Sequence, residues 1–495
     1  MTMLSPDGRI EKGVLLLLGA AFLLLTVFSI CLVRAAYFSP LSKYPGPKLW
    51  AATLLPNAWA RYNGKFLPKV LQMHQKYGRV VRVGPNDLSW IDERVWKDVF
   101  EHRQNHQEFP KWRVGPALNG YRGILSSDRE DHSRYRRLLS HEFSAQSMKN
   151  QQPIIMGYVD LLIRGLRDCS PQEPQDMVQW FNWATFDIIG RLSFGEDFNC
   201  LRNREVYEWI TAVMGNVKAV SVTTALTQLG LGRLAPYFVS KELVGKRRAN
   251  YEYAAMKIAE RSQMQADNDD FLDNVYHHMG KKSGMVEGEI VANASNLVLG
   301  GSETTATLLS GCAYLLAKSP DKLRNVQNEI RTTFASEDEI DLFSVVKLPY
   351  TLAVLNETMR IYPPVPNMRG RSVPYPGDTV AGEWVPGGTK IMLPQYVAGR
   401  LASNFRQAED FIPERFLGDP RFENDNFAIF QPFSAGPRNC IGKNLAYAEM
   451  RLILAKFLYN FEIELDASSY DWISQKEFTL WEKPSLWMRV KAIEH

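Results

Sequence analysis

The sequence has few cysteines: there are five in 495 residues. The number is odd, and no two cysteines are spaced as C-x-x-C, so the pattern argues against a disulfide framework and against a structural zinc site. A reducing compartment is favoured. The five positions are Cys31, Cys169, Cys200, Cys312 and Cys440.

A strong excess of charge of one sign is also absent. Fifty-eight Lys and Arg residues stand against 54 Asp and Glu residues, which gives a net charge of +4. This small balance predicts no nucleic-acid partner. The sequence contains no H-E-x-x-H, no P-loop and no G-x-S-x-G, so three common enzyme classes have no support. With 45% hydrophobic and 23% charged residues, the chain is expected to fold around a sizeable core.

One long apolar run stands near the N-terminus, from Gly13 to Val33, and it contains no charged residue. At 1.5 Å per residue such a helix reaches about 30 Å, which is roughly the thickness of a hydrocarbon core. The apolar part of a secretory signal is usually shorter. The run therefore predicts an uncleaved, single-pass membrane anchor, and the flanking charges favour a cytosolic position for the rest of the chain.

The segment KYPGPKLW, residues 43–50, carries two prolines around a glycine and predicts a stiff hinge. We therefore divide the chain into an anchor with its linker, residues 1–44, and one large domain, residues 45–495. Helical patterns dominate residues 93–347, so the domain is predicted to be mainly α with small β-sheets. Strand patterns occur at 79–92, 371–393 and 461–490.

The most specific pattern is F-x-x-G-x-R-x-C-x-G, formed by Phe433, Gly436, Arg438, Cys440 and Gly442. Average residue usage gives such a match by chance in roughly one chain in ten thousand. The glycines let the backbone pass close beneath a flat group and aim amide N–H groups at the sulfur. A helix-forming run follows the cysteine directly, and its N-terminus favours a thiolate over a thiol. A small buried hydrophobic cysteine would explain neither the glycines nor the arginine.

This pattern resembles the haem-thiolate signature of the cytochrome P-450 family, and the resemblance extends over essentially the whole chain. It implies a P-450 fold preceded by one transmembrane helix, and haem b (iron protoporphyrin IX) as cofactor. Cys440 would be the axial ligand of the haem iron. Phe433 would pack beside the sulfur, and Arg438 would pair with a haem propionate. A thiolate ligand pushes electron density onto the iron and favours O–O cleavage.

A second pattern lies in a long helical run around Gly300 and Gly301, where glycine costs about 1 kcal/mol relative to alanine. The residues match the family pattern [A/G]-G-x-[D/E]-T-[T/S]. By resemblance, a helix kink admits dioxygen and a water molecule. Thr304 would hydrogen-bond the dioxygen, and Glu303 would relay protons to it. The alternative is a plain helix-packing face with Glu303 at its solvent edge.

Glu357 and Arg360 form an E-x-x-R motif, and Arg415 belongs to a later PERF segment. By resemblance the three form a buried charge network behind the haem, with a structural role because buried charges must be paired. The alternative for Glu357 and Arg360 is an ordinary surface pair on one helix.

His132 and Arg136 are spaced i, i+4 on a predicted helix and match the family pattern [W/H]-x-x-x-R. Together with Arg371 they would hold the haem propionates by charge-assisted hydrogen bonds. Two neighbouring cations, Arg134 and Arg137, are either part of a solvated face or a docking patch for an acidic electron donor. Both interpretations stay open at this point.

The resemblance implies a monooxygenase in the endoplasmic reticulum membrane, with its catalytic domain facing the cytosol. It would use O2 and electrons from a separate NADPH-cytochrome reductase to hydroxylate or epoxidise an apolar small molecule. Two alternatives are a haem-thiolate isomerase or dehydratase acting without reductase, and a non-catalytic haem-binding protein at the membrane. The retained Glu303 and Thr304 argue against the first, and the intact cysteine pattern argues against the second.

The substrate is indicated only by class. Residues 181–198 resemble fungal secondary-metabolite enzymes, including trichothecene-type terpenoid hydroxylases, so a terpenoid, polyketide or alkaloid intermediate is expected. By resemblance the pocket is lined from five segments: 103–125, 215–234, 292–301, 365–372 and 478–480.

Overall fold

The computed structural model of the chain describes residues 6–112, 120–205, 208–232, 237, 240–263, 270–281, 283–368 and 370–494. Long helices dominate them, as predicted. They are α1 (Pro6–Tyr37), α2 (Leu55–Tyr62), α3 (Phe66–Tyr77), α4 (Arg129–Leu139), α5 (Ala145–Arg167), α6 (Met177–Phe194), α7 (Glu208–Gln228), α8 (Lys241–Ser262), α9 (Glu287–Val298, Leu299–Glu303 and Thr304–Ala317), α10 (Pro320–Thr333), α11 (Pro349–Ile361) and α12 (Lys443–Asn460). Shorter helices span Lys48–Ala52, Cys200–Asn203, Asp273–His277 and Gln395–Gly399.

The strands are short and form small sheets. They are β1 (Val80–Gly84), β2 (Asp87–Trp90), β3 (Gln175–Asp176), β4 (Arg371–Ser372), β5 (Gly377–Val380), β6 (Glu383–Pro386), β7 (Lys390–Met392), β8 (Phe461–Leu465), β9 (Lys476–Phe478), β10 (Leu480–Glu482) and β11 (Trp487–Ala492). One sheet has the order β1-β2-β7-β4 and another β3-β11-β8, while β5-β6 and β9-β10 are separate hairpins. The prediction of a mainly helical domain with small sheets is confirmed.

The strand patterns of the sequence mark these sheets well. β1 and β2 pair as the antiparallel hairpin expected at 79–92, with Val80 opposite Trp90. β4 to β7 fall within the predicted segment 371–393, and β11 runs two residues beyond the segment that ends at 490. β3 was not predicted, because a strand of two residues is too short to show an alternating pattern.

The largest part of the core is helical. α6 is buried along nearly its whole length, because it is apolar on every face and must lie between other elements. It packs against α5 and α9, and its Phe181 ring meets Phe457 of α12 with ring centroids 5.8 Å apart. The apolar side chains of these helices form one continuous cluster. A second cluster lies at the β1-β2-β7-β4 sheet. The interrupted helix α9 therefore crosses the centre of the molecule.

The N-terminal helix α1 is longer than the predicted span of 13–33. The stretch Gly13–Tyr37 is long and apolar enough to cross a membrane, and none of its most apolar window is buried. The C-terminal end of α1 contacts the large domain. Ala36 is buried there, and Arg82 Nη2 donates a hydrogen bond to Ala35 O at 3.0 Å. Leu41 and Tyr44, which the sequence places in the linker, pack into the second core cluster.

Removal of residues 1–34 is expected to release the protein from membranes while keeping it folded, because Ala35 O and the buried Ala36 remain. Removal of residues 1–44 also deletes Leu41 and Tyr44, and is expected to lower the free energy of unfolding by about 3 kcal/mol or more, given the cost of emptying buried apolar sites. Membrane fractionation and urea denaturation of both forms would measure this. A 1–34 deletion that stays in the membrane pellet, or two deletions of equal stability, would contradict it.

Candidate active site

Cys440 lies at the end of a loop that folds back on itself. Its backbone N–H donates a hydrogen bond to Phe433 O at 2.9 Å, so the two residues predicted to lie together are joined. The Phe433 ring packs against Tyr447 of α12, with ring centroids 4.9 Å apart. Cys440 has exposed surface on this loop, but its sulfur is surrounded by protein atoms.

Gly436 allows the Cys440 loop to pass close to a neighbouring segment. Its φ is +72°, a conformation that side chains disfavour. A Cβ at this position would lie 2.1 Å from the Phe100 carbonyl oxygen, so any larger residue would push the loop away from the π-helical turn Trp96–Phe100. The sequence analysis expects the glycines to let the backbone pass close to a flat group. In the structure, Gly436 lies close to the backbone at Phe100.

The local environment of Cys440 differs from the expectation in one respect. α12 begins at Lys443 and not directly after the cysteine. Burial within the loop raises the pKa of the thiol, against the opposing effects of the Gly442 N–H, Arg136 and Lys443. The Gly442 N–H and the two nearby cations therefore do not by themselves offset the desolvation of the sulfur. Coordination to a metal ion would produce a thiolate, because a coordinated thiol loses its proton outright.

A cluster of basic side chains lies beside this loop. His132 is buried, and its pKa is lowered to about 3, first by burial and then by the charges of Arg438, Lys111, Arg136 and Arg371. The structure thus brings the predicted propionate-binding residues together. Lys111 was missed by the sequence analysis, because no motif marks it.

Arg371 belongs to this basic cluster and has two guanidinium nitrogens without a hydrogen-bond partner among the described residues. Its side chain is buried, and neither Nε nor Nη1 has a hydrogen-bond partner. Burial, followed by repulsion from Arg438, lowers its pKa to about 10. A buried guanidinium with two free N–H groups is costly unless an anion meets it. The carboxylates of haem propionates have the right charge and acceptor geometry, so the residues present fit this group.

Arg438 and Arg136 do have partners within the protein. Arg438 donates to the Glu108 carboxylate and to Ser127 O at 3.0 Å. Arg136 donates to the backbone and side-chain oxygens of Asn439 at 2.7 and 2.6 Å. Arg136 therefore clamps the residue that precedes Cys440, a contact that the i, i+4 pattern on α4 did not predict.

The paired glycines of α9 mark a break in the helix. Residues Leu299–Glu303 form a π-helical turn between two α-helical halves, and such turns widen a helix locally. Thr304 Oγ1 donates to Gly300 O at 2.7 Å. A Cβ on Gly301 would lie 2.4 Å from Ile189 Cδ1, whereas a Cβ on Gly300 would meet nothing within 4 Å. Only the second glycine is required by packing.

Glu303 is buried and does not lie at a solvent edge. Its Oε1 accepts hydrogen bonds from Lys483 Nζ at 2.5 Å and from Thr307 Oγ1 at 3.1 Å. Lys483 Nζ also donates to Thr307 Oγ1 at 2.6 Å. Within the described residues, no hydrogen bond joins Glu303 to Thr304, so the predicted acid and alcohol face different partners. Sequence reasoning missed Lys483, which lies 180 positions from Glu303.

The three residues of the predicted charge network are fully buried and joined. Glu357 accepts two hydrogen bonds from Arg360, both at 2.7 Å, and one from Arg415 Nε at 3.1 Å. Arg360 also donates to the backbone oxygens of Gly399, Ala408 and Asp410. A second acid, Asp425, accepts from Arg415 Nη1. Two arginines are thereby balanced by two carboxylates, and the alternative of a surface pair is excluded.

Similarity to known proteins identifies the family of this chain. The sequence model of the family described as Cytochrome P450 matches residues 45–488. The chain is 43% identical to the averantin hydroxylase of Dothistroma septosporum, over 92% of this chain and 87% of that protein. It is 40% identical to the versicolorin B desaturase of the same organism, over 100% of this chain and 97% of that protein. It is also 40% identical to the cytochrome P450 monooxygenase astA of Talaromyces wortmannii, over 97% and 98%.

These relatives are similar to the chain along nearly its whole length and are named as hydroxylases, desaturases and monooxygenases. The mainly helical fold with small sheets accords with the family that the sequence model describes. The chain therefore belongs to the cytochrome P450 family, and it is a haem-thiolate monooxygenase.

Proposed function

We propose that this P450 hydroxylates or epoxidises an apolar intermediate of fungal secondary metabolism, using O2 and electrons from a separate NADPH-cytochrome reductase. The observation that carries the haem site is the buried guanidinium of Arg371 beside the Cys440 loop, whose Nε and Nη1 have no hydrogen-bond partner among the described residues. A carbon monoxide difference spectrum of the reduced protein tests it, and the absence of a haem-thiolate Soret band would overturn it.

The cofactor that we propose is haem b. Cys440 would supply the axial thiolate, Phe433 would pack beside the sulfur, and Arg371, His132 and Arg438 would meet the propionates. Arg136 would act mainly through Asn439, since its side chain donates hydrogen bonds to two oxygens of that residue. Bound haem supplies oxygen activation, helped by electron donation from the thiolate.

Glu303 and Thr304 favour oxygen activation over isomerisation. An isomerase or dehydratase that rearranges an already oxygenated substrate has no need of protons delivered to dioxygen. Here the Thr304 hydroxyl lies at the π-helical turn and donates to Gly300 O at an exposed position. By rotating away from Gly300 O it would donate to dioxygen held beside the turn. The buried Glu303 next to it can hold a proton in a site largely shielded from solvent.

Thr304→Ala is expected to lower the product formed per NADPH by about tenfold, within the range of one proton-transfer group. Electrons would leave as hydrogen peroxide, while the spectral shift on substrate binding stays unchanged. NADPH consumption, peroxide and product are measured together. Thr304→Ser keeps the hydroxyl and is expected to restore coupling, and Thr305→Ala, at the adjacent buried position, is the matched control. Intact coupling in Thr304→Ala would refute the role of Thr304.

The proposed substrate class is supported by the names of the relatives. Averantin hydroxylase and versicolorin B desaturase act on two different compounds with two different outcomes, so family membership does not set the outcome. The trichothecene-like expectation stays a prediction. Of the expected pocket segments, residues 113–119, 233–234 and 369 lie outside the described residues. Spectral binding shifts and product masses from a panel of polyketides, terpenoids and alkaloids would identify the class.

The proposed location is the endoplasmic reticulum membrane, with one span and a cytosolic catalytic domain. α1 supports the anchor, and α2 adds exposed apolar side chains on the same N-terminal part of the chain, including Leu55 and the stacked rings of Trp59 and Tyr62. Of the two cations considered for reductase docking, Arg134 is bonded to Asp131 and Glu289, whereas Arg137 is exposed. Arg137 is therefore the better candidate for that contact.

A further inference from the structure

The strongest unexplained feature near the broken helix is the buried ion pair between Lys483 and Glu303. Both side chains are almost inaccessible, with 3% and 4% of their surface exposed. Lys483 Nζ, Glu303 Oε1 and Thr307 Oγ1 are mutually bonded within 3.1 Å. Within the described part of the chain, Lys483 is the one cation in salt-bridge contact with Glu303.

The position of Lys483 is fixed from both sides. Two residues earlier, Trp481 of β10 stacks on Tyr362 with ring centroids 5.1 Å apart, and its Nε1 donates to Pro363 O at 2.9 Å. Three residues later, the Leu486 N–H donates to Asp176 Oδ1 at 3.0 Å. The backbone on each side of Lys483 is thus held against the core, and this fixes the position of the ammonium group.

The neighbouring polar groups leave this pairing undisturbed. Thr307 lies one helical turn beyond Glu303 and donates to the same oxygen that Lys483 contacts. Tyr362 is buried nearby, and its hydroxyl donates to Gln475 Oε1 at 2.7 Å instead. Thr304 is bonded to Gly300. Glu303 Oε1 is therefore held on the Thr307 side of the helix, while Thr304 is on another face.

We propose that Lys483 is a positioning residue for Glu303: its ammonium keeps the buried carboxylate ionised and held towards Thr307 until a proton is transferred. An isolated carboxylate in this environment would take up a proton instead of remaining charged. An ionised Glu303 can accept a proton at Oε2, which has no partner among the described residues, and can then release it towards Thr304. The inference rests on the proton-delivery role proposed above for Glu303.

Infrared difference spectroscopy tests the inference without turnover. Wild type minus Glu303→Gln isolates the Glu303 signal, and a carboxylate band is expected. The same difference spectrum is then recorded in the Lys483→Met background, as Lys483→Met minus the double variant Lys483→Met/Glu303→Gln. It is expected to show a protonated carboxyl band instead. Lys483→Arg, measured against its own Glu303→Gln double variant, is expected to restore the carboxylate. A carboxylate band that persists in Lys483→Met would overturn the proposal.

Measurements of turnover and of stability distinguish a positioning role of Lys483 from a merely structural one. Lys483→Met is expected to raise the peroxide-to-product ratio by about tenfold, with recovery in Lys483→Arg and no change in the substrate-binding shift. Lys456 is equally buried and is paired with Asp160 at 2.5 Å, so Lys456→Met is the matched control, expected to lose stability and keep coupling. Equal uncoupling in both variants would overturn the inference.

Two further outcomes remain decisive if Lys483→Met folds poorly. The double variant Lys483→Met/Glu303→Gln leaves no unpaired buried charge, so it is expected to be more stable than Lys483→Met alone. A double variant that is less stable would overturn the pairing. Failure of the proposed function looks different: Glu303→Gln would then leave the peroxide-to-product ratio unchanged, while the infrared spectra still decide the role of Lys483.

Discussion

We expect Cys440→Ser to abolish the haem-thiolate Soret band in the reduced carbon monoxide difference spectrum, and with it all monooxygenase activity. Serine fits the same loop and can keep the backbone hydrogen bond from residue 440 to Phe433 O. A serine hydroxyl, however, remains neutral where a thiol loses its proton to a metal, so the electron donation that favours O–O cleavage is lost. The loss is expected to be complete, not graded.

The control for this substitution is Cys169→Ser. Cys169 lies outside the loop, at the end of α5, and its Sγ is 3.3 Å from Gly165 O, a contact that a serine hydroxyl can also make. Its spectrum and activity are expected to match those of the wild type. A normal thiolate band in Cys440→Ser would show that another residue is the axial ligand. Circular dichroism of both variants checks that the fold is retained.

Glu357→Gln is expected to lower the free energy of unfolding by about 3–5 kcal/mol, the usual cost of breaking a buried ion pair. The amide has nearly the same shape, but it removes the charge that faces Arg360 and Arg415. Two buried guanidinium groups would then share one remaining carboxylate, that of Asp425. Urea denaturation followed by circular dichroism measures the change, and haem retention on mild heating reports the same loss.

Two companion variants sharpen the test of the charge network. Arg360→Lys keeps the charge but cannot reproduce the five hydrogen bonds that the guanidinium donates to Glu357, Gly399, Ala408 and Asp410, so it is expected to be nearly as destabilising. Glu423→Gln, at an exposed position, is expected to change stability by less than about 0.5 kcal/mol. Wild-type stability in Glu357→Gln would contradict the structural role of the network.

The sequence predicts those parts of the site whose residues lie close together in the chain. The glycines, arginine and cysteine of the Cys440 loop lie within ten positions, and the E-x-x-R pair spans one helical turn. For the same reason the sequence misplaced the start of α12, since Ile441 and Gly442 are compatible with either a loop or a first helical turn. Local chemistry limits the choices there without fixing the boundary.

Partners far apart in the chain could not be predicted in this way. Lys483 meets Glu303, Asp425 meets Arg415, and Asn439 meets Arg136, although each is an ordinary residue in its own segment. Only the packing of α9 against the C-terminal segment, or of α4 against the cysteine loop, brings the charges together. The pKa of Cys440 depends on the same tertiary packing, because burial outweighs the local effects of Gly442 and Lys443.

The two glycines at the π-helical turn of α9 are under unequal steric constraints. A methyl group on Gly301 would overlap the Ile189 side chain of α6, so a change there requires that side chain, or the helix that carries it, to shift. A methyl group on Gly300 would enter open space, which accounts for a family pattern that admits alanine at the first position and only glycine at the second. A substitution at position 300 would therefore change the helix surface one turn before Thr304, while a substitution at position 301 would meet α6.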